Sequence, residues 1–254
     1  RELVGFGKIK RSIADVLNVD AYSTNSTLQE GMGEVAWSGY AGGVGLRPFT
    51  SQIGGDVGSA ISGLKNSQAL KSFYNSKSPE ILRRNNRKLM IEMGVSKEII
   101  AEFLDHKWLS PRHESVIVEV LSYLKDADNQ DDFFIHASSS KGEEDSIFMM
   151  RLAEATLGFD QNVSAIRYFK RLNGVLMFYT IDGREVVILP ADFLIWSLEA
   201  SIIADQLSNN NLKKEIWLTG SISKRARVEF ESRGWSIILS EGLLLPRLPA
   251  NKGI

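Results

Sequence analysis

Along the chain, apolar positions recur with a helical period up to about Asn162 and with a strand-like period after it. Ile9, Ile13, Val16 and Leu17 form the first helical face, followed by a polar break at residues 22–26. Ser78-Pro79-Glu80 has the form of an N-cap with proline at the first helical position, and Gly94 is placed to end that helix. Ser96 opens the next helix, with Ile99, Ile100, Phe103 and Leu104 turned inward. Ser110-Pro111 opens a third, carrying Val116, Val120, Leu121 and Leu124. Residues 126–132 read as an acidic connector. A helix over 143–157 follows, with acidic residues in its first turn, where the helix dipole favours them, and Gly158 just past its end.

Two runs rich in β-branched and aromatic residues, 175–181 and 184–189, flank Asp182-Gly183 and predict a hairpin with a two-residue type I′ turn. That turn sets Thr180 opposite Glu185, Phe178 opposite Val187 and Leu176 opposite Leu189. Both faces of the hairpin are apolar away from the turn, so both require cover. Residues 166–172 predict a further strand. Residues 191–207 read as a helix apolar on most sides and therefore largely buried across the sheet. A β–α–β unit closes the pattern: strand 216–219, a turn at 220–223, helix 224–233, Gly234 and strand 235–239. The expected fold class is α+β, with a helical region over 1–160 and a small mixed sheet with covering helices over 161–254.

Glycine changes the picture in one place. Ten of the chain's 21 glycines lie between Gly31 and Gly63, within a pattern that is still helical. Gly39 and Gly43, and then Gly54, Gly58 and Ser62, recur every four residues, a spacing that lets two helix backbones approach closely. A tight helical hairpin turning near 46–49 is the preferred reading; membrane insertion or self-association through the same residues is the alternative.

Composition excludes more than it suggests. Hydrophobic residues at 43% and charged residues at 24% describe an ordinary globular chain, and a net charge of -1 supplies no global attraction to nucleic acid or anionic lipid. The absence of cysteine rules out disulfides, thiolate catalysis and cysteine-ligated metal centres. No run approaches the roughly 18–20 apolar residues of a membrane helix, and a soluble chain is expected. The lack of cysteine fits an exported bacterial protein as well as a cytoplasmic one, and the start at Arg1 fits a removed signal peptide as well as a trimmed chain; periplasmic or secreted is the favoured expectation.

Candidate chemistry is sparse. His106, His113 and His136 form no metal-ligand pair and read as surface or capping residues; no metal and no cofactor is expected. Residues 126–132 begin like a calcium loop but place Asp131 and Ala137 where glycine and an acid are required. Gly31-Met-Gly33 lacks the preceding strand of a dinucleotide fingerprint. Ser62-x-x-Lys65 and Ser221-x-x-Lys224 match the Ser-x-x-Lys nucleophile pattern without its companion elements. Arg83, Arg84, Arg87 and Lys88 share one face of a helix and form a candidate anion-binding surface. Gly220, Ser221 and Ser223, in a small-residue turn leading into a helix N-terminus, form another. The latter segment, from Thr219 through a helix ending in glycine, resembles the opening of a BRCT module over one β–α–β unit, a resemblance that implies no function.

The function expected from these residues is a non-enzymatic binding or interaction protein, with an unknown protein or an anionic ligand as partner, and self-association through the small-residue faces as one form of it. A hydrolase or transferase with a site assembled from distant residues is the alternative. Polyanion or nucleic-acid binding through the helix over 80–94 is the weaker one.

Overall fold

The computed structural model describes residues 6–17, 19–41, 78–172, 174–205, 212–240 and 242–246. In chain order these form α1 (Phe6–Leu17), α2 (Ser26–Ala41), α3 (Pro79–Glu92), α4 (Lys97–Leu104), α5 (Pro111–Tyr123), α6 (Asp131–Ala137), α7 (Glu143–Asn162), β1 (Ile166–Leu172), β2 (Val175–Thr180), β3 (Arg184–Leu189), β4 (Phe193–Leu194), α8 (Leu198–Asp205), β5 (Lys213–Leu218), β6 (Ser221–Ile222), α9 (Lys224–Glu231) and β7 (Trp235–Leu239). The class is α+β. Contacts divide the chain into two bodies, residues 1–85 with 110–115, and residues 86–109 with 116–254.

In the first body α1 packs on α2 through Ile13, Ala14, Ala21, Met32 and Ala36. Leu17, expected on the buried face, is exposed at the last position of α1. Asn25 Oδ1 accepts the Leu28 amide at 3.2 Å and caps α2. Gly39 lies in α2, whereas Gly43, Gly54, Gly58, Ser62 and the turn expected near 46–49 lie outside the described residues.

In the second body a five-stranded sheet runs in the order β1-β2-β3-β5-β7. β1, β2 and β3 form an antiparallel meander, and β3, β5 and β7 are parallel. Both faces are covered, as two apolar faces demand. On one side Phe159 of α7 meets Phe178 and Trp217 edge-on, at centroid distances of 5.0 and 5.2 Å, and Phe133 of α6 meets Phe169. On the other, Met177, Tyr179, Val187, Ile216, Leu218 and Trp235 pack with Ala200 and Ala204 of α8 and with Ala226 and Phe230 of α9.

The hairpin forms, but one residue out of the expected register: Phe178 pairs with Val186 and Tyr179 with Glu185. A type I′ turn needs positive φ at both central residues. Only Gly183 adopts it, at φ 80°. The chain instead makes a three-residue loop, 181–183, in which the Gly183 amide donates to the Thr180 carbonyl at 3.2 Å. A one-residue shift exchanges the faces of β3 relative to β2, so Val186, not Val187, shares a side with Phe178.

Three further expectations are corrected. Gly158 does not end α7, which continues to Asn162; the glycine is buried mid-helix, where a Cβ would lie within 2.2 Å of the Leu244 carbonyl oxygen. The acidic connector extends into a short helix, α6, and pairs with β1: the Asp128 amide donates to the Arg167 carbonyl, and the Phe169 amide to that of Asp128. The apolar segment over 191–207 is not one buried helix. Its first part is β4, parallel to β6, and α8 begins only at Leu198. Ala200 and Ala204 face the sheet and Leu194 and Trp196 pack against its core, while Phe193, Ile195, Leu198 and Ile202 are left exposed.

Candidate functional site

The first body brings Asp20, Ser110 and His113 together, the residue types of a hydrolytic triad. Their wiring is different. The Ser110 hydroxyl donates to Asp20 Oδ2 at 2.5 Å and accepts the His113 amide at 3.3 Å. His113 Nδ1 accepts the Ser110 amide at 3.4 Å, and its Nε2 lies 3.6 Å from Asp20 Oδ2. In a triad the hydroxyl faces the imidazole and the carboxylate orients the ring from its other nitrogen. Here the hydroxyl is spent on the carboxylate, and Ser110 and His113 form a reciprocal cap in which histidine takes the place usually held by Glu or Gln. Ser110 and His113 are both buried. The cluster locks the 20–25 segment to the start of α5.

The second body holds a charge network around the buried Glu215 at the turn end of the hairpin. Glu215 accepts from Lys213 Nζ at 2.8 Å, Trp217 Nε1 at 2.9 Å and Arg184 Nη1 at 3.2 Å. Arg184 also grips Asp182 with two nitrogens, at 3.1 and 2.8 Å. Burial opposes charge on Glu215, yet the donors from Lys213, Trp217 and Arg184 outweigh it and hold its carboxyl below the usual range. Asp182 is held at about 2, by the Arg184 guanidinium first, against a desolvation cost, and then by the hydroxyls of Thr180 and Ser164. Each oxygen of Glu215 meets a donor, so the network ties β3 to β5 and presents no free base.

Parallel strands end in loops at 189–194 and 219–223, where ligands often bind in open sheets. Here the two loops pack backbone to backbone. The amides of Thr219, Ser221 and Ser223 donate to the carbonyls of Leu189, Asp192 and Leu194. A Cβ on Gly220 would lie 2.1 Å from the Asp192 carbonyl oxygen. The Ser223 hydroxyl caps α9 at the Ala226 amide, and the Ser221 hydroxyl faces the Asp192 carbonyl rather than Lys224. Asp205 is exposed and paired with Arg233 at 2.7 Å.

His136 is buried in the interior, and neither surface nor cap describes it; burial first, and then the Arg171 charge, push it down to about 4. Burial likewise lowers His106. Among the described residues no group of three or more His, Asp or Glu could hold a metal ion.

Of the four basic residues on α3, Arg83 turns to the buried Glu114, with contacts of 3.1–3.3 Å. Lys88 lies 3.7 Å from Glu92, and Arg84, Arg87 and Lys88 are exposed. Gly220, Ser221 and Ser223 are brought together in the loop just described.

The feature that reading the sequence missed lies in β4 and α8. Phe193, Ile195, Leu198 and Ile202 are 56, 58, 71 and 37% exposed, four large apolar side chains within ten residues. Asp192 and Glu199 beside them are exposed and acidic. Val228 of α9 is exposed as well. The signal was present as an apolar run with too few polar positions, but that pattern equally describes a buried helix. Comparison with protein-family models, with curated proteins and with solved structures found no match.

Proposed function

We propose that the chain is a non-enzymatic interaction protein that docks a protein partner through Phe193, Ile195, Leu198 and Ile202. The observation that carries this reading is the exposure of those four large apolar side chains within ten residues of chain, because exposed apolar residues grouped in this way are typical of a binding face. Asp192 and Glu199 at its margin favour a partner segment whose own apolar side chains are flanked by Lys or Arg, since rim charges set specificity and association rate. The internal commitments of Ser110, His113 and Glu215 support binding over catalysis.

The probe is a labelled amphipathic Leu/Lys peptide, read by fluorescence anisotropy against a Leu/Glu peptide of the same length. The basic peptide is expected to bind and the acidic one not to. The double variant Leu198→Ser, Ile202→Ser should weaken binding about tenfold or more while leaving the fold intact, because both side chains already face solvent. Equal binding of the two peptides, or binding indifferent to the double substitution, would sink the reading. A concentration-dependent molecular mass, lost in the same variant, would instead identify a second copy as the occupant.

A further inference from the structure

Arg112, the second residue of α5, is 6% exposed. Its Nε is sealed from solvent and meets no acceptor among the described residues. The neighbouring buried groups are all engaged. Glu114, two positions along, accepts from Arg83 at 3.1 Å, and Asp20 is taken by Ser110 and His113.

A guanidinium cannot escape burial by losing its proton. Left uncompensated, a buried charge is strongly destabilising. Its place in the fold adds to the demand. The first turn of a helix carries the positive end of the dipole, so a cation there is disfavoured and an anion favoured. Pro111 has no amide hydrogen, the amides of His113 and Glu114 are satisfied by Ser110, and the Arg112 amide remains. An unmet Nε–H on a planar guanidinium fork, in the first turn of a helix where the dipole favours negative charge, suits a phosphate-type oxyanion.

We propose that Arg112 anchors a phosphate-type oxyanion site at the start of α5. The site lies in the first body, is independent of the docking patch of the second, and stands or falls separately from it.

The test uses the full chain and its melting temperature in low-salt buffer, with inorganic phosphate titrated against chloride at equal ionic strength. Wild type should show a saturable rise with phosphate alone. Arg112→Met should lose that rise and, without phosphate, melt no lower than wild type, because an uncompensated charge has been removed. Arg112→Lys keeps the charge but not the planar fork, and should bind phosphate about tenfold more weakly. If the methionine variant does not fold, the lysine variant carries the test, and unchanged affinity in it overturns the proposal. A phosphate response retained in Arg112→Met, or matched by chloride, overturns it too. O-phosphoserine in a parallel arm separates the sources. A shift with phosphate alone identifies the free anion, a shift with both identifies a phosphoryl group on a larger ligand, and a shift with neither overturns the site.

Discussion

His136 shows how one buried side chain sets a pH limb. Its neutral form is favoured in the fold, at about 4 against an unfolded value of 6.5. The unfolded chain therefore binds the proton first as pH falls. The stability contributed by the neutral ring is complete above about 6.5 and lost between there and 4. Between pH 7 and 5 this one group should cost about 2 kcal/mol, at roughly 1.4 kcal/mol per pH unit. Urea unfolding of His136→Leu should show a flatter limb over that interval, and an unaltered limb would assign it to other groups. Below pH 4 the carboxylates take over. Asp182 has a depressed value, so its contribution is present above its unfolded value of 3.8 and disappears as pH falls through about 2. Glu215 makes a different prediction. Removing it by Glu215→Ala leaves the buried Trp217 indole N–H without its acceptor, while Arg184 keeps its pair with Asp182, and should cost about 1–3 kcal/mol in the urea midpoint analysis. Glu215→Gln, which keeps an acceptor oxygen, should cost less.

Elements were placed more reliably than they were bounded. Proline and serine marked the starts of α3, α4 and α5 because caps are local chemistry, satisfied within three residues of sequence. Glycine misled, because the same residue serves two purposes. Gly94 ends α3 with φ 79°, a conformation that favours glycine, whereas Gly158 is helical and small because the Leu244 backbone presses on it. Two substitutions separate these roles. Gly33→Ala in α2 meets open space and should stabilise by about 0.5–1 kcal/mol through helix propensity. Gly158→Ala should destabilise by about 1–3 kcal/mol despite the same propensity gain, because the obstacle is backbone rather than a movable side chain. Urea denaturation of both variants checks the opposite signs; a stabilised Gly158→Ala would mean that the 244 segment is not held there. The hairpin register belongs to this scale too. Asp182-Gly183 announced the turn, but the bidentate Arg184–Asp182 pair and the Thr180 hydroxyl favour three loop residues over two.

At the scale of the molecule, a sheet with two apolar faces had to be covered, and that requirement was readable from 175–189 alone. The alternating periods before and after Asn162 fixed the α+β class, because periodicity reports directly which side of an element meets the core. The strand order β1-β2-β3-β5-β7, the meeting of antiparallel and parallel halves at β3, and the division into two bodies depend on pairings between distant residues. No local pattern encodes these. The candidate surfaces divide in the same way. The basic face of α3 was visible because it lies on one helix, although the partner of Arg83 was not. The exposure of Phe193, Ile195, Leu198 and Ile202 and the unmet Nε of Arg112 were invisible, since both are properties of what packs alongside. The sequence by itself determined the elements, their caps and the need for a doubly covered sheet, all set by interactions a few residues long. Register, burial and the pairing of charges were decided only in the tertiary structure, where each side chain's partner comes from a remote part of the chain.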